Sequence, residues 1–123
     1  MEFICTQQAP QAIGPYSQAV VVNGMVYTSG QIALTPEGVM QEAEITLQTK
    51  QVLQNLEAVL KASGSEMGKV IKCTIFLSSM EDFETVNRLY EAAFGTHKPV
   101  RSTVAVKTLP KNALVEIDAI ALI

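Results

Sequence analysis

Two side chains in the last quarter of this sequence combine charge with an apolar setting. Arg101 stands in Pro99-Val100-Arg101-Ser102-Thr103-Val104. A guanidinium partly withdrawn from water needs an anion, and its planar fork pairs with a carboxylate through two bonds. Glu116 stands between Val115 and Ile117. A strand glutamate so flanked is either a satisfied surface or interface carboxylate, or a general base that positions water, its pKa raised if the site is dry. Charge patterning leaves two readings of Arg101 open: an ion pair with Glu116 or Asp118, or the holder of an anionic ligand. If the last two strands pair as a hairpin with Thr103 opposite Glu116, then Arg101, Thr103 and Glu116 share one small site. Such a register is not written in the sequence.

Other candidates are weaker alone. Asn87 interrupts the stripe of Phe83, Tyr90 and Phe94 on a predicted helix. A buried amide needs partners, so Asn87 reads as a clamp on a nearby loop rather than a catalytic group. Tyr16 follows Gly14-Pro15, and Ser29-Gly30 ends a strand. These read as an interface aromatic and a strand exit. His97, the only histidine, lies beside Pro99 in a loop and reads as solvated. A single histidine excludes a multi-histidine metal cluster. Cys5 and Cys73 match no zinc or redox spacing and read as reduced core residues. The glycine-rich phosphate loops and the common hydrolase motifs are absent. The expectation is therefore chemistry by ordinary side chains, with no metal and no cofactor.

The elements that must position these residues follow from periodicity. Glu2 to Cys5, Ser17 to Val22, Met25 to Gly30, Val70 to Leu77, Arg101 to Val106 and Leu114 to Leu122 read as strands. Asn23-Gly24 is a hairpin signal. Ile45 to Ser63 carries a helical stripe of Ile45, Val52, Leu53, Leu56, Val59 and Leu60, with Gly64 as its stop. A second helix opens after Ser79, with Glu81 and Asp82 in its first turn, and runs to about Phe94. Thr35-Pro36-Glu37-Gly38 and Leu109-Pro110-Lys111-Asn112 read as turns. The order β-β-β-α-β-α-β-β makes one α+β domain over residues 1–123, a two-layer sandwich. Its mixed sheet has about six strands, and two helices cover one face only. The last strand alternates Val115, Ile117, Ala119 and Ala121 with Glu116, Asp118, Ile120 and Leu122. Its mixed face suits a subunit interface that holds a polar site.

Composition points the same way. Of 123 residues, 48% are hydrophobic and 17% charged, against about 25% charged in an average soluble domain. No Asp, Glu, Lys or Arg occurs from Phe3 to Pro36. Glutamines, prolines and Asn23 interrupt that stretch, so it is not a membrane span. No secretory signal is recognisable, and a cytoplasmic location is expected. The net charge of −3 and the absence of a basic cluster argue against nucleic acid as partner.

Several motifs in order give a resemblance that covers the chain. Ala12-Ile13-Gly14-Pro15-Tyr16-Ser17-Gln18-Ala19 and Thr28-Ser29-Gly30-Gln31-Ile32 resemble the N-terminal motifs of the RidA/YjgF family. Asn55 through Leu60, Phe83 through Asn87 and Tyr90 fit its helices. Pro99 through Val104, and Leu109-Pro110-Lys111 with Val115-Glu116-Ile117, resemble its C-terminal signature. The resemblance implies a fold like that of Bacillus-type chorismate mutase. It implies a homotrimer with clefts between subunits, and 2-iminoacid deaminase activity. It assigns the substrate carboxylate to Arg101 and the attacking water to Glu116. A contact through the backbone carbonyl falls to Thr103, where many members have cysteine. Tyr16, Ser29 and Gly30 are implied cleft residues from the neighbouring subunit, and Asn87 a supporting asparagine. Val100 stands where alanine is usual, which bears on pocket width. The alternative is a small-metabolite-binding regulatory trimer without significant turnover. Ribonuclease activity, a label some relatives carry, fits poorly with an acidic chain. Chorismate mutase chemistry needs more cations than two arginines supply.

Overall fold

The computed structural model describes residues 1–123. Strands and helices run as β1 (Glu2–Ile4), β2 (Ala19–Val22), β3 (Met25–Thr28), α1 (Ile45–Ala62), β4 (Val70–Leu77), α2 (Phe83–Phe94), β5 (Val100–Ala105) and β6 (Val115–Leu122). Asn23 and Gly24 take φ of 51° and 74°. That left-handed pair lets β2 fold directly back on β3. Ser79 caps a short 3₁₀ turn, Met80–Asp82, which leads into α2. The expected strands and helices all form, with ends displaced by one to three residues, the most at the start of α2.

The six strands lie in the order β1-β2-β3-β6-β4-β5. A hairpin between β5 and β6, the pairing that would set Thr103 opposite Glu116, does not form. After β4, helix α2 returns the chain so that β5 runs parallel to β4, with Cys73 beside Arg101 and Ile75 beside Thr103. This is a β-α-β crossover, and it uses one edge of β4. The other edge pairs with β6, Ile75 against Ile117 and Phe76 against Glu116. Thr103 and Glu116 are thus separated by a whole strand.

Both helices pack on one sheet face. Leu56, Val59 and Leu60 of α1 and Val86 of α2 are buried with Val26, Ile75, Leu77, Val115 and Ile117. The alternation on β6 is as expected: Val115, Ile117, Ala119 and Ala121 are buried in this core. Glu116, Asp118 and Ile120 point to the open face. There Phe3, Val20, Tyr27 and Ile120 align across four strands. Phe3 is 67% exposed and Tyr27 42%. An apolar ribbon of this kind is unusual on a free surface.

Cys73 is buried, but Cys5 is exposed rather than in the core. Residue 5 lies just past β1, where the chain leaves the sheet for the loop.

Three amides on α1 organise the loops beside the sheet. Gln48 Nε2 donates to the carbonyls of Gln41 and Glu42, and its Oε1 accepts from Leu114 N at 2.9 Å. Gln51 Nε2 donates to Asn55 Oδ1. Asn55 Nδ2 donates to the carbonyls of Ile32 (3.1 Å) and Leu34 (2.8 Å). All three residues are buried. Removing a partner from a buried polar group costs about 1–3 kcal/mol. Asn55→Ala is therefore expected to lower stability by about that amount, read as a lower urea midpoint with an unchanged slope. An unchanged midpoint would show that water replaces the amide.

Candidate active site

Position 101 is next to Cys73 in register, so the Arg101 side chain leaves the sheet on the helix side. It emerges at the free edge, because β5 is the last strand. Its Nη1 donates to Asn87 Oδ1 at 2.7 Å. Its Cζ lies 4.9 Å from the Tyr90 ring centre and 5.7 Å from that of Phe83. The chain's ion pairs are Lys61–Glu57 and Lys98–Glu91. Arg101 is in neither, and Glu116 and Asp118 face the other side of the sheet. An ion pair of Arg101 with Glu116 or Asp118 of its own chain is thereby excluded. A half-buried guanidinium with one amide acceptor keeps most of its donors for an external anion.

Asn87 differs from expectation in two ways. It is exposed, and it holds Arg101 rather than a loop. Phe83, Asn87 and Tyr90 sit on one face of α2, and that spacing aims all three at β5. Thr103 shares Arg101's face, and its Oγ1 is buried without a hydrogen-bond partner.

Glu116 is set by a different device. β3 and β6 pair Tyr27 with Ile120, but beyond β3 an isolated bridge pairs Gln31 with Ile117. The register slips by one residue between these pairs, so Ser29 and Gly30 bulge from the ladder. Thr28 Oγ1 accepts from Ala119 N on one side of the slip, and Gln31 and Ile117 exchange two backbone bonds on the other. The bulge brings the Gly30 backbone against the Glu116 side chain. A Cβ on Gly30 would lie 2.7 Å from Glu116 Cδ and 2.9 Å from Cγ. Only glycine fits beside the carboxylate as it stands. Gly30→Ala is expected to displace Glu116 and lower kcat at least about tenfold, with a melting temperature close to the parent's. Steady-state kinetics and a melting curve check this, and unchanged kcat would show that the carboxylate's position is not critical.

Burial pushes the Glu116 carboxyl above its usual pKa, and the nearby Asp118 charge adds to the rise. Burial likewise raises Asp118, against lowering by Thr74 and Lys72. These shifts arise from partial desolvation and from two like charges on one face of β6. Glu116 thus suits a base that works nearer neutral pH than an ordinary glutamate.

Glu116 lines a cleft of about 530 Å³ with Tyr16, Ser29, Gly30, Ile32 and Lys111. Ser29 Oγ donates to the Ser17 carbonyl, so its hydroxyl is left as an acceptor. Tyr16 is 54% exposed, and its hydroxyl accepts from Ile13 N. Gln18, which sequence reasoning passed over, is buried behind this wall. Its amide binds Thr6 N and the carbonyls of Thr6 and Pro10. Lys111 is a non-glycine residue at φ 55° in the turn before β6.

Arg101 lines a separate cleft of about 180 Å³ with Asn87, Tyr90, Phe94, His97 and Lys98. No residue lines both clefts. The site that a β5–β6 hairpin would have made from Arg101, Thr103 and Glu116 of one chain does not form: Arg101 and Thr103 lie on one face of the sheet and Glu116 on the other. Tyr16, Ser29 and Gly30 are neighbours of Glu116 in the same chain, not residues set across from it. His97 is half-buried rather than solvated, with Nε2 2.6 Å from the Val70 carbonyl.

Tyr90 and Phe83 were legible only as a core stripe. The one signal of a further role was the asparagine lodged between them. No three His, Cys, Asp or Glu side chains come together in a group that could hold a metal ion. No helix is long and apolar enough to cross a membrane.

Comparison with known proteins shows the family. Residues 6–123 match the family described as Endoribonuclease L-PSP. The chain is 44% identical over 121 residues to the 2-iminobutanoate/2-iminopropanoate deaminase of Escherichia coli K12, covering 96% of this chain and 94% of that protein. Among solved structures, the YjgF gene product of E. coli superposes with a TM-score of 0.94 at 43% identity, over 99% and 98% of the two chains. E. coli TdcF, solved with bound serine, gives 0.95 at 42% identity, over 100% and 99%. With its chorismate-mutase-like α+β sandwich, and a full-length match in sequence and in structure, this chain belongs to the Endoribonuclease L-PSP family, the RidA/YjgF proteins.

Proposed function

We propose that this protein is a homotrimeric deaminase that hydrolyses 2-imino and enamino acids, such as 2-iminobutanoate and 2-iminopropanoate, to 2-oxoacids and ammonia. The observation that carries the reading is Arg101: a guanidinium with no carboxylate partner, held by Asn87 beside the Tyr90 ring at a free sheet edge. The deaminase activity in the name of the E. coli relative supports it. Each cleft takes Arg101, Thr103 and Asn87 from one subunit. Glu116, Tyr16, Ser29 and Gly30 come from the next, because one chain cannot bring the two half-sites together. Association also covers the apolar ribbon on the open face.

The chemistry needs positioning and water. Arg101 binds the substrate carboxylate and fixes the imine carbon near Glu116. Glu116 accepts a proton as water attacks the protonated imine carbon, and a C–O bond forms while the C=N π pair returns to nitrogen. Glu116 returns that proton to the carbinolamine nitrogen, the C–N bond breaks, and ammonia leaves as the hydroxyl proton passes to Glu116 and the carbonyl forms. The chain's own side chains suffice for every step.

The test is stopped-flow decay of 2-iminobutanoate, formed in situ, with and without the protein. Concentration-dependent acceleration is expected. No acceleration, together with binding of 2-oxobutanoate, would support the second reading, a metabolite-binding trimer without significant turnover. The serine bound to TdcF favours that reading.

A further inference from the structure

We propose that Tyr90 is the positioning residue for Arg101: its ring, not its hydroxyl, holds the guanidinium where it can take a carboxylate. The proposal rests on the reading of Arg101 as the anion-binding group. An arginine side chain has many rotamers, and a ligand must otherwise immobilise it on binding. The only hydrogen bond that restrains the Arg101 side chain is the one it donates to Asn87, which is itself exposed. The Tyr90 ring is more firmly placed. It is 7% exposed and packs against Phe94 with ring centres 4.6 Å apart. The Arg101 Cζ at 4.9 Å lies within cation–π range of this fixed ring.

The hydroxyl does not share the task. It is buried beside the Cys73 thiol and makes no hydrogen bond to Arg101. Cys73 and Arg101 are register partners, so ring, thiol and guanidinium stack across β4 and β5 on the helix side. Phe83, at 5.7 Å, is a second and more distant ring.

The experiment titrates 2-oxobutanoate, the deaminated product, into the intact protein, and measures KM and kcat for 2-iminobutanoate. Tyr90→Leu is expected to weaken 2-oxobutanoate binding and raise KM by about fivefold, with kcat within about twofold of the parent. Tyr90→Phe is expected to match the parent in both, since it keeps the ring. Phe83→Leu, further from the charge, is expected to raise KM by about twofold and provides a reading if Tyr90→Leu fails to fold. A purely structural role would lower the melting temperature and the active fraction but leave KM alone. Unchanged binding in Tyr90→Leu, or equal losses in Tyr90→Leu and Tyr90→Phe, would overturn the proposal. A parent protein that binds 2-oxobutanoate but does not accelerate imine decay would defeat the deaminase reading and leave the role of Tyr90 standing.

Discussion

Arg101→Ala is expected to remove most of the proposed acceleration of imine hydrolysis and to leave the proposed trimer intact. A loss of at least about 100-fold in kcat/KM is expected, because a bound but misplaced substrate forfeits most of the advantage of proximity. The fold should tolerate the change. Arg101 is at the sheet edge, makes no ion pair, and donates one hydrogen bond to an exposed asparagine. Arg101→Lys should recover little, since an ammonium lacks the fork that grips a carboxylate at two points. Kinetics with light scattering on each variant checks both statements. Full activity in Arg101→Ala would remove the central residue from the account.

Glu116→Gln is the second large effect. It keeps the shape beside Gly30 but removes the proton acceptor, so kcat should fall about 100-fold or more with KM little changed. The pH profile carries independent information. Burial first, and the Asp118 charge second, raise the Glu116 pKa. The base is active when deprotonated, so activity falls as pH drops through that raised value, at higher pH than an ordinary glutamate would allow. Asp118→Asn removes the like charge, and the acid limb should move to lower pH. An acid limb that stays in place would assign it to a group other than Glu116.

Much of this was readable in the sequence. Alternation along β6 separated Glu116 and Asp118 from the core because strand side chains repeat every two residues. Arg101 and Glu116 stood out as charges in apolar surroundings. Sheet order was not legible. The sequence around Leu109 to Asn112 looks like a turn between adjacent strands, yet β4 lies between β5 and β6. Pairing of that kind is decided by the α2 crossover and not by any local pattern. The same limit hid the roles of Gln48 and Asn55, whose backbone partners lie in separate loops, and of Gln51, which pairs with the side chains of Gln41 and Asn55. Tyr90 was hidden for another reason. An aromatic at helical spacing looks identical whether it fills a core or seats an arginine.

The most direct measurement mixes two inactive proteins. The Arg101→Ala and Glu116→Gln proteins are denatured, combined in equal amounts, refolded, and assayed for imine decay. Sites built from the Arg101 of one subunit and the Glu116 of the next are intact in about a quarter of random pairings in a cyclic oligomer. The account predicts recovery to roughly that fraction of parent activity. A refolded mixture with no activity would contradict it, because that is the result if both residues serve the same site from a single chain.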